Sequence, residues 1–207
     1  MLYSLCKKAG EYIFMENLVE SIKRRTFIAI AIETTGLNSE PQNGKVDHII
    51  EIGAVKIRKG KIIEKFSTFV SCPIPVPKNI VDMAKITDKD LCGEPSIDIA
   101  LKRLYEFGNG CAFVGHNLSW DFSFLNHYGK DINISFDGKV YDTLRLAKEI
   151  LQGEIPNYKL FTLTTYFGVK QQGDRAVDQA MTNAKLFLEI AKWQSFLSWI
   201  SCVKEFD

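Results

Sequence analysis

Four acids in this chain fall where short elements end. Glu33 closes the apolar run FIAIAI at 27–32, Asp121 closes GHNLSWD at 115–121, and Asp174 and Asp178 lie in GDRAVDQA at 173–180. Carboxylates that converge on a cleft are the donor set that hard divalent cations require, since Mg2+ and Mn2+ take oxygen ligands. Two such ions about 4 Å apart activate a water and stabilise the leaving oxygen in phosphodiester cleavage. One position argues against a complete set. Side chains alternate along a strand, so a second acid on Glu33's side would sit at 31, and that residue is Ala31. The stretch FIAIAIETTGL reads either as half of a metal site or as an ordinary strand with one charge at its mouth. Each later acid also has a purely structural use. Asp121 at the start of a helix is a good cap. Asp174 and Asp178 suit a first helical turn through the helix dipole alone.

The elements on either side must position these acids. Residues 27–32 are continuously apolar, as in a strand buried on both faces. IIEIGAVKI at 49–57 alternates in part, with Ile50, Ile52, Ala54 and Lys56 on one side; the turn RKGK at 58–61 then leads into IIEKFSTFV at 62–70. Two β-rich runs around a glycine turn predict a hairpin, so the first three strands form an antiparallel meander. CPIPVPKN at 72–79 is a proline-punctuated loop. A helix follows Ser96, with Ile97, Ala100, Leu101, Leu104 and Tyr105 toward the core. CAFVGHN at 111–117 is a short buried strand, and DFSFLNHYG at 121–129 is a helix stopped by Gly129. A short strand at Val140 and Tyr141 precedes helices over 142–151 and 159–168. The long last helix carries Val177, Ala180, Met181, Ala184, Phe187, Leu188 and Ala191 at helical spacing. Trp193, Phe196, Leu197, Trp199 and Ile200 in the tail either close the core as a helix or form an exposed patch for a partner chain. Strands, then strand–helix alternation, then helices predict an α/β fold. Its mixed five-stranded sheet, an antiparallel meander plus parallel strands, is flanked by helices.

Composition sets outer bounds. A length of 207 residues suits one domain of ordinary size, and 46% hydrophobic with 25% charged residues is the balance of a soluble globular protein. The net charge of +1 excludes a strong field. A protein that coats long nucleic acid is more basic, whereas one that grips only a chain end need not be. Five scattered cysteines with no CxxC pair argue against a disulfide framework or structural zinc, and favour a reducing cytoplasm. No apolar run approaches the ~20 residues of a membrane span, so no membrane association is expected. Lys7 and Lys8 interrupt the opening apolar stretch, which makes a poor signal peptide, and Met15 is an alternative start.

FIAIAIETTGL, GHNLSWDFSFL and GDRAVDQAMTNAKLF, in this order, resemble the three motifs of the DnaQ-like (DEDD, histidine-branch) 3′–5′ exonucleases. IIEIGAV, KITDKDLCGEPS at 85–96, YDTLRLAKEIL and YKLFTLTTYFGV resemble the family's supporting stretches, and the similarity runs from about residue 26 to 191. The resemblance implies a ribonuclease-H-like exonuclease domain at 26–192, between an N-terminal extension at 1–25 and a helical tail at 193–207. It implies hydrolysis of 3′-terminal phosphodiesters of DNA or RNA with Mg2+ or Mn2+, on the 3′ end of a single strand. A protein partner such as a polymerase is also implied.

Carried over by position, the family's catalytic set is incomplete here. Glu33 and Asp121 stand at metal-binding acid positions; Ala31 and Gln179 stand where the family has acids; Asp174 stands where it has a histidine base. Thr34, Thr35, Gly36, Leu37, His116, Asn117 and Phe122 match its substrate-binding positions. His116 and Asn117 equally suit the satisfaction of backbone groups at a strand end, and Leu37 and Phe122 equally suit a core. The resemblance gives positions 31 and 179 to the metal that activates the water, which would then be weakly bound or absent. The three histidines are His48, His116 and His127, so none falls in the third motif. Loss of a general base alone lowers rates 10²–10⁴-fold. Asp178, one residue from position 179, is rotated by about 100° around a helix and points away. The expectation is an inactive or severely impaired exonuclease. The alternative is a non-catalytic module for nucleic-acid 3′ ends or for a protein partner.

Overall fold

The computed structural model describes residues 17–40 and 46–204, with side chains as far as Phe196. The apolar run at 27–32 becomes the centre of β1 (Thr26–Thr34), which is buried along nearly its whole length. β2 (Ile49–Arg58) pairs antiparallel to β1, and β3 (Lys61–Phe69) pairs antiparallel to β2. Their turn places Lys59 and Gly60 at positive φ, 51° and 73°, the backbone of a type I′ hairpin. β4 (Ala112–Gly115) lies parallel to β1, and β5 (Val140–Asp142) parallel to β4. The sheet order is β3-β2-β1-β4-β5. This is the expected meander with two parallel strands added beyond β1.

Alternation along β1 divides the core. Phe27, Ala29 and Ala31 join Val55 and Ile57 of β2 beneath α6 (Thr143–Leu151) and α8 (Ala176–Lys204). Ile28, Ile30 and Ile32 face α4 (Ile97–Gly108) and α5 (Leu118–Gly129). Ala31 and Glu33 therefore share the α8 face of the strand. The register slips after Glu33: Glu33 opposes Glu51, but Thr34 opposes Ile49. This bulge turns the strand end and releases Ile50 into a third small core with Val76, Ile80 and Ile86. Of the β2 residues predicted to share a side, Ile52 and Ala54 face α4 and α5, and Lys56 lies over the Phe107 ring of α4. Ile50 departs from them because of the bulge.

Three short helices escape periodicity because each is under two full turns: α1 (Leu18–Arg24), α2 (Lys78–Ala84) and α3 (Asp88–Leu91). The predicted loop at 72–79 ends early, since Pro77 is the residue before α2. α5 starts at Leu118, three residues before the expected start, because its cap comes from a side chain distant in sequence. α7 spans Leu160–Tyr166. Tyr105, expected in the core, is 45% exposed on the outer face of α4. α8 runs without a break through the expected boundary at 192/193. Trp193 packs partly against the core and Phe196 is exposed; the side chains of Leu197, Trp199 and Ile200 lie outside the described residues. Among the described residues no helix is long and apolar enough to cross a membrane.

Candidate active site

β1 delivers Glu33 to the edge of a cleft of about 390 Å³. Ile32, Trp120, Met83 and Leu160 supply apolar wall; Asp174, Gln179 and Gln171 supply polar wall. In the first turn of α8, the side-chain amide of Gln179 donates a hydrogen bond to the Glu33 carboxylate. Burial and the like charge of Glu51 push Glu33 up to about 7, while the Gln179 bond and the Arg175 charge pull the other way. Asp121 enters from α5 and is buried. Burial lifts it to about 7 despite hydrogen bonds from its own backbone and that of Ile32, and Asp142 and Glu33 add smaller like-charge pushes. Both acids are raised chiefly because burial disfavours their charged forms, and Asp121 lies behind the cleft wall rather than in it.

The segment before α8 is fixed from the sheet. Glu51, buried on β2, accepts from Arg175 Nε at 3.1 Å and from the Ala176 backbone N–H at 3.0 Å. Arg175 Nη2 lies 2.9 Å from the second Glu51 oxygen. A Cβ on Gly53 would stand 2.1 Å from the Ala176 carbonyl carbon, so only glycine lets α8 approach this closely. Asp174 is exposed just ahead of the helix and lines the cleft. The Asp178 carboxylate packs against Gly173 and does not line it.

The loop after β1 is held by residues that periodicity does not single out. Thr34 Oγ1 donates to Gly36 O at 2.5 Å, and the Thr35 N–H donates to His48 O at 2.8 Å. The His48 N–H returns to Thr35 Oγ1 at 2.8 Å, and the Asp47 carboxylate accepts from the Asn38 N–H at 2.9 Å. The Tyr128 hydroxyl donates to Asp47 O at 2.9 Å. Gly36 lies so close to Asp47 that a Cβ would meet its carboxylate at 2.5 Å. Leu37 is 78% exposed beyond this loop.

The α5 corner is likewise held together internally. Asn117, in left-handed backbone at φ 61°, precedes α5. Asp142 accepts from the Asn117 and Leu118 N–H groups at 3.0 Å each and from the Leu144 N–H at 2.9 Å, so it caps α5 and α6 together. Asp121 is therefore not a cap. His116 Nδ1 lies 3.0 Å from Thr143 Oγ1, whose hydroxyl donates to Gly115 O at 3.0 Å. Burial holds the His116 imidazole below the usual histidine range, against the pull of Asp142. Phe122 meets Phe113 edge-on at 5.2 Å and packs against the α4–α5 core.

A divalent Mg2+ or Mn2+ centre takes several oxygen acceptors. Glu33 and Asp121 are carboxylates, but Ala31 offers nothing, and Gln179 turns its NH2, a donor, toward Glu33. A cation needs acceptors there. Among the described residues no three His, Cys, Asp or Glu side chains gather in a way that would hold a metal ion. The residues present do not fit a two-metal centre.

The exonuclease family model (RNase_T) matches residues 28–187. The chain is 37% identical over 165 residues to the PolC-type DNA polymerase III of Caldanaerobacter subterraneus subsp. tengcongensis, a match covering 79% of this chain and 11% of that protein. It thus spans about a tenth of the length of the PolC-type relatives it matches. It is 32% identical over 184 residues to the epsilon subunit of DNA polymerase III from Aquifex aeolicus, covering 85% of this chain and 88% of the relative. Two solved structures share its ribonuclease-H-like fold. Exonuclease X, in complex with 5′ overhanging duplex DNA, aligns with a TM-score of 0.64 at 23% identity, over 80% of this chain and 91% of that one. The nuclease domain of 3′hExo, a DEDDh family member bound to rAMP, aligns with 0.69 at 16% identity, over 81% and 92%.

Proposed function

This chain belongs to the exonuclease family, and on that premise we propose that it is a 3′–5′ exonuclease domain whose catalytic site is severely impaired as written. The cleft still receives the 3′ end of single-stranded DNA or RNA. The observation that carries this reading is the hydrogen bond from the Gln179 amide to Glu33. Gln179 offers Glu33 a neutral donor where a cation would need acceptors, and Ala31 offers no ligand. Of the family's catalytic set, Glu33 and Asp121 alone remain as acids, too few acceptors for firm binding of Mg2+ or Mn2+. Asp174 stands at the histidine position, exposed at the cleft wall. Removing a base lowers rates 10²–10⁴-fold, and losses within one catalytic unit do not simply add. Thr34, Thr35, Gly36 and Leu37 offer backbone and side-chain groups to a terminal nucleotide. His116 and Asn117 act mainly by holding the α5 corner in place, and Phe122 by packing beneath it.

The test is a nuclease assay on 3′- and 5′-labelled single-stranded DNA and RNA, in Mg2+ and separately in Mn2+. The chain is run beside Glu33→Ala and beside the repair Ala31→Asp, Asp174→His, Gln179→Asp. Cleavage by the repaired chain alone supports the reading. Cleavage by the unaltered chain that vanishes in Glu33→Ala overturns it.

A second reading is a cytoplasmic protein-interaction domain beside a polymerase. Tyr166, Phe167, Trp193 and Phe196 line a groove of about 460 Å³ away from the acids, and Phe196 is 49% exposed. Polymerase relatives make such a partner the natural candidate. Assembly lost on making Trp193 and Phe196 polar, with the nuclease assay silent throughout, would select it.

A further inference from the structure

We propose that Glu51 and Arg175 are positioning residues whose ion pair sets the register of α8 on the sheet, so that residue 179 is the one that meets Glu33. Both lie outside the acid positions of the three motifs. The pair would act in this way whether or not the chain cuts nucleic acid.

Glu51 stands opposite Glu33 in the β1–β2 register, on the face that α8 covers. Its two oxygens take contacts from two consecutive residues, Arg175 and Ala176, at 2.9–3.1 Å. The Arg175 guanidinium also lies over the Phe69 ring of β3, 4.5 Å from its centroid. The junction is thus held from two strands, by the Glu51 carboxylate and the Phe69 ring. Gly53 adds an excluded-volume stop, because a Cβ there would stand 2.1 Å from both Ala176 C and Val177 N.

Helix geometry carries that hold along the chain. With Ala176 fixed, the direction of every later side chain follows at about 100° and ~1.5 Å per residue. A slip of one residue would present Asp178 or Ala180 to Glu33 in place of Gln179. The first would set two carboxylates against each other, and the second would leave Glu33 without its donor. Burying an ion pair is a poor source of net stability, and its best-attested use is to specify register. Here the pair is nearly buried on the acid side, with the Glu51 side chain 3% and that of Arg175 31% exposed.

The readout is the side-chain NH2 of Gln179 in the full-length, 15N-labelled chain, assigned by its loss in Gln179→Ala. In the unaltered chain its two resonances should lie outside the cluster of free glutamine amides, because the group donates to a carboxylate. Arg175→Met keeps the stem and removes the charge. Glu51→Gln keeps the shape and the acceptor for Ala176. In both, the Gln179 pair should fall back into the cluster and exchange with water about tenfold faster or more, as loss of a charge-assisted hydrogen bond implies. Arg175→Lys should restore part of the shift. Phe187→Leu, a core change in the same helix, should lower stability and leave the Gln179 pair in place. The proposal is overturned if the pair stays put in both Arg175→Met and Glu51→Gln, if Phe187→Leu moves it equally, or if it lies in the free cluster from the start. Should Glu51→Gln not fold, Arg175→Met decides by the same criteria.

Discussion

Glu33 and Glu51 face each other across one rung of the sheet and look at the same turn of α8, yet they are held in different ways. Glu51 has a guanidinium and a backbone N–H on its oxygens. Glu33 has the amide of Gln179 and is pushed up to about 7. The first is a structural acid with its counter-charge built in. The second is an acid held by a neutral donor and kept from ionising mainly by burial. Two carboxylates of one type, a few ångströms apart in register, thus separate scaffold from site, and the difference lies in what approaches them from α8.

The largest expected effect breaks the scaffold side. Glu51→Ala leaves the partly buried Arg175 charge and the Ala176 N–H without their partner, and should lower stability by about 3 kcal/mol in urea unfolding, the low end for breaking a buried pair because Arg175 is 31% exposed. Glu33→Ala should not lower it and should raise it near pH 8, because above about 7 it removes a charge that burial disfavours. Equal losses would erase the distinction. Gly53→Ala comes next. Its Cβ would overlap the Ala176 backbone, so α8 must retreat, at about 1–3 kcal/mol by the same measurement.

The site side shows in pH dependence. Burial raises Glu33 and Asp121 to about 7 from their ordinary values of 4.5 and 3.8. Between those values the folded chain binds more protons than the unfolded one. Their contribution to stability is therefore complete below about pH 4 and is lost as pH rises through about 7. The melting temperature should fall from pH 5 to pH 8 by several degrees, at about 2–4 °C per kcal/mol for a chain of this size. Glu33→Gln combined with Asp121→Asn should flatten that slope, and an unchanged slope would mean that neither acid is perturbed. The smallest effect belongs to Asp174. It is exposed ahead of the helix, and Asp174→Ala should leave stability within about 0.5 kcal/mol.

Much of this arrangement was legible in the chain before its structure. Six consecutive apolar residues marked β1 as a strand buried on both faces, and the spacing of two made Ala31 and Glu33 neighbours on one face. Positions 31 and 179 could be set against the family's acid positions because motif order supplied a register. What escaped were residues whose role depends on distant partners. Glu51 is one acid in IIEIGAVKI, and nothing local marks it as the anchor of a helix 124 residues away. Asp142 looked like the opening of its own helix, and its second duty as the cap of α5 appears only once β4 and β5 lie side by side. Asp47, His48 and Tyr128 brace the Thr34–Gly36 loop through contacts that span up to 81 positions. Short helices such as α3 show no periodicity, because one turn cannot complete a pattern.

The central claim is that α8 brings an amide to Glu33 where the family reaction needs a cation. Mn2+ binding, followed by loss of the free-ion electron paramagnetic resonance signal, tests it most directly. The unaltered chain should leave Mn2+ free up to about 1 mM, because the acceptor count is too low for a hard cation, and Ala31→Asp with Gln179→Asp should take it up. Stoichiometric uptake by the unaltered chain that disappears in Glu33→Ala would contradict the account.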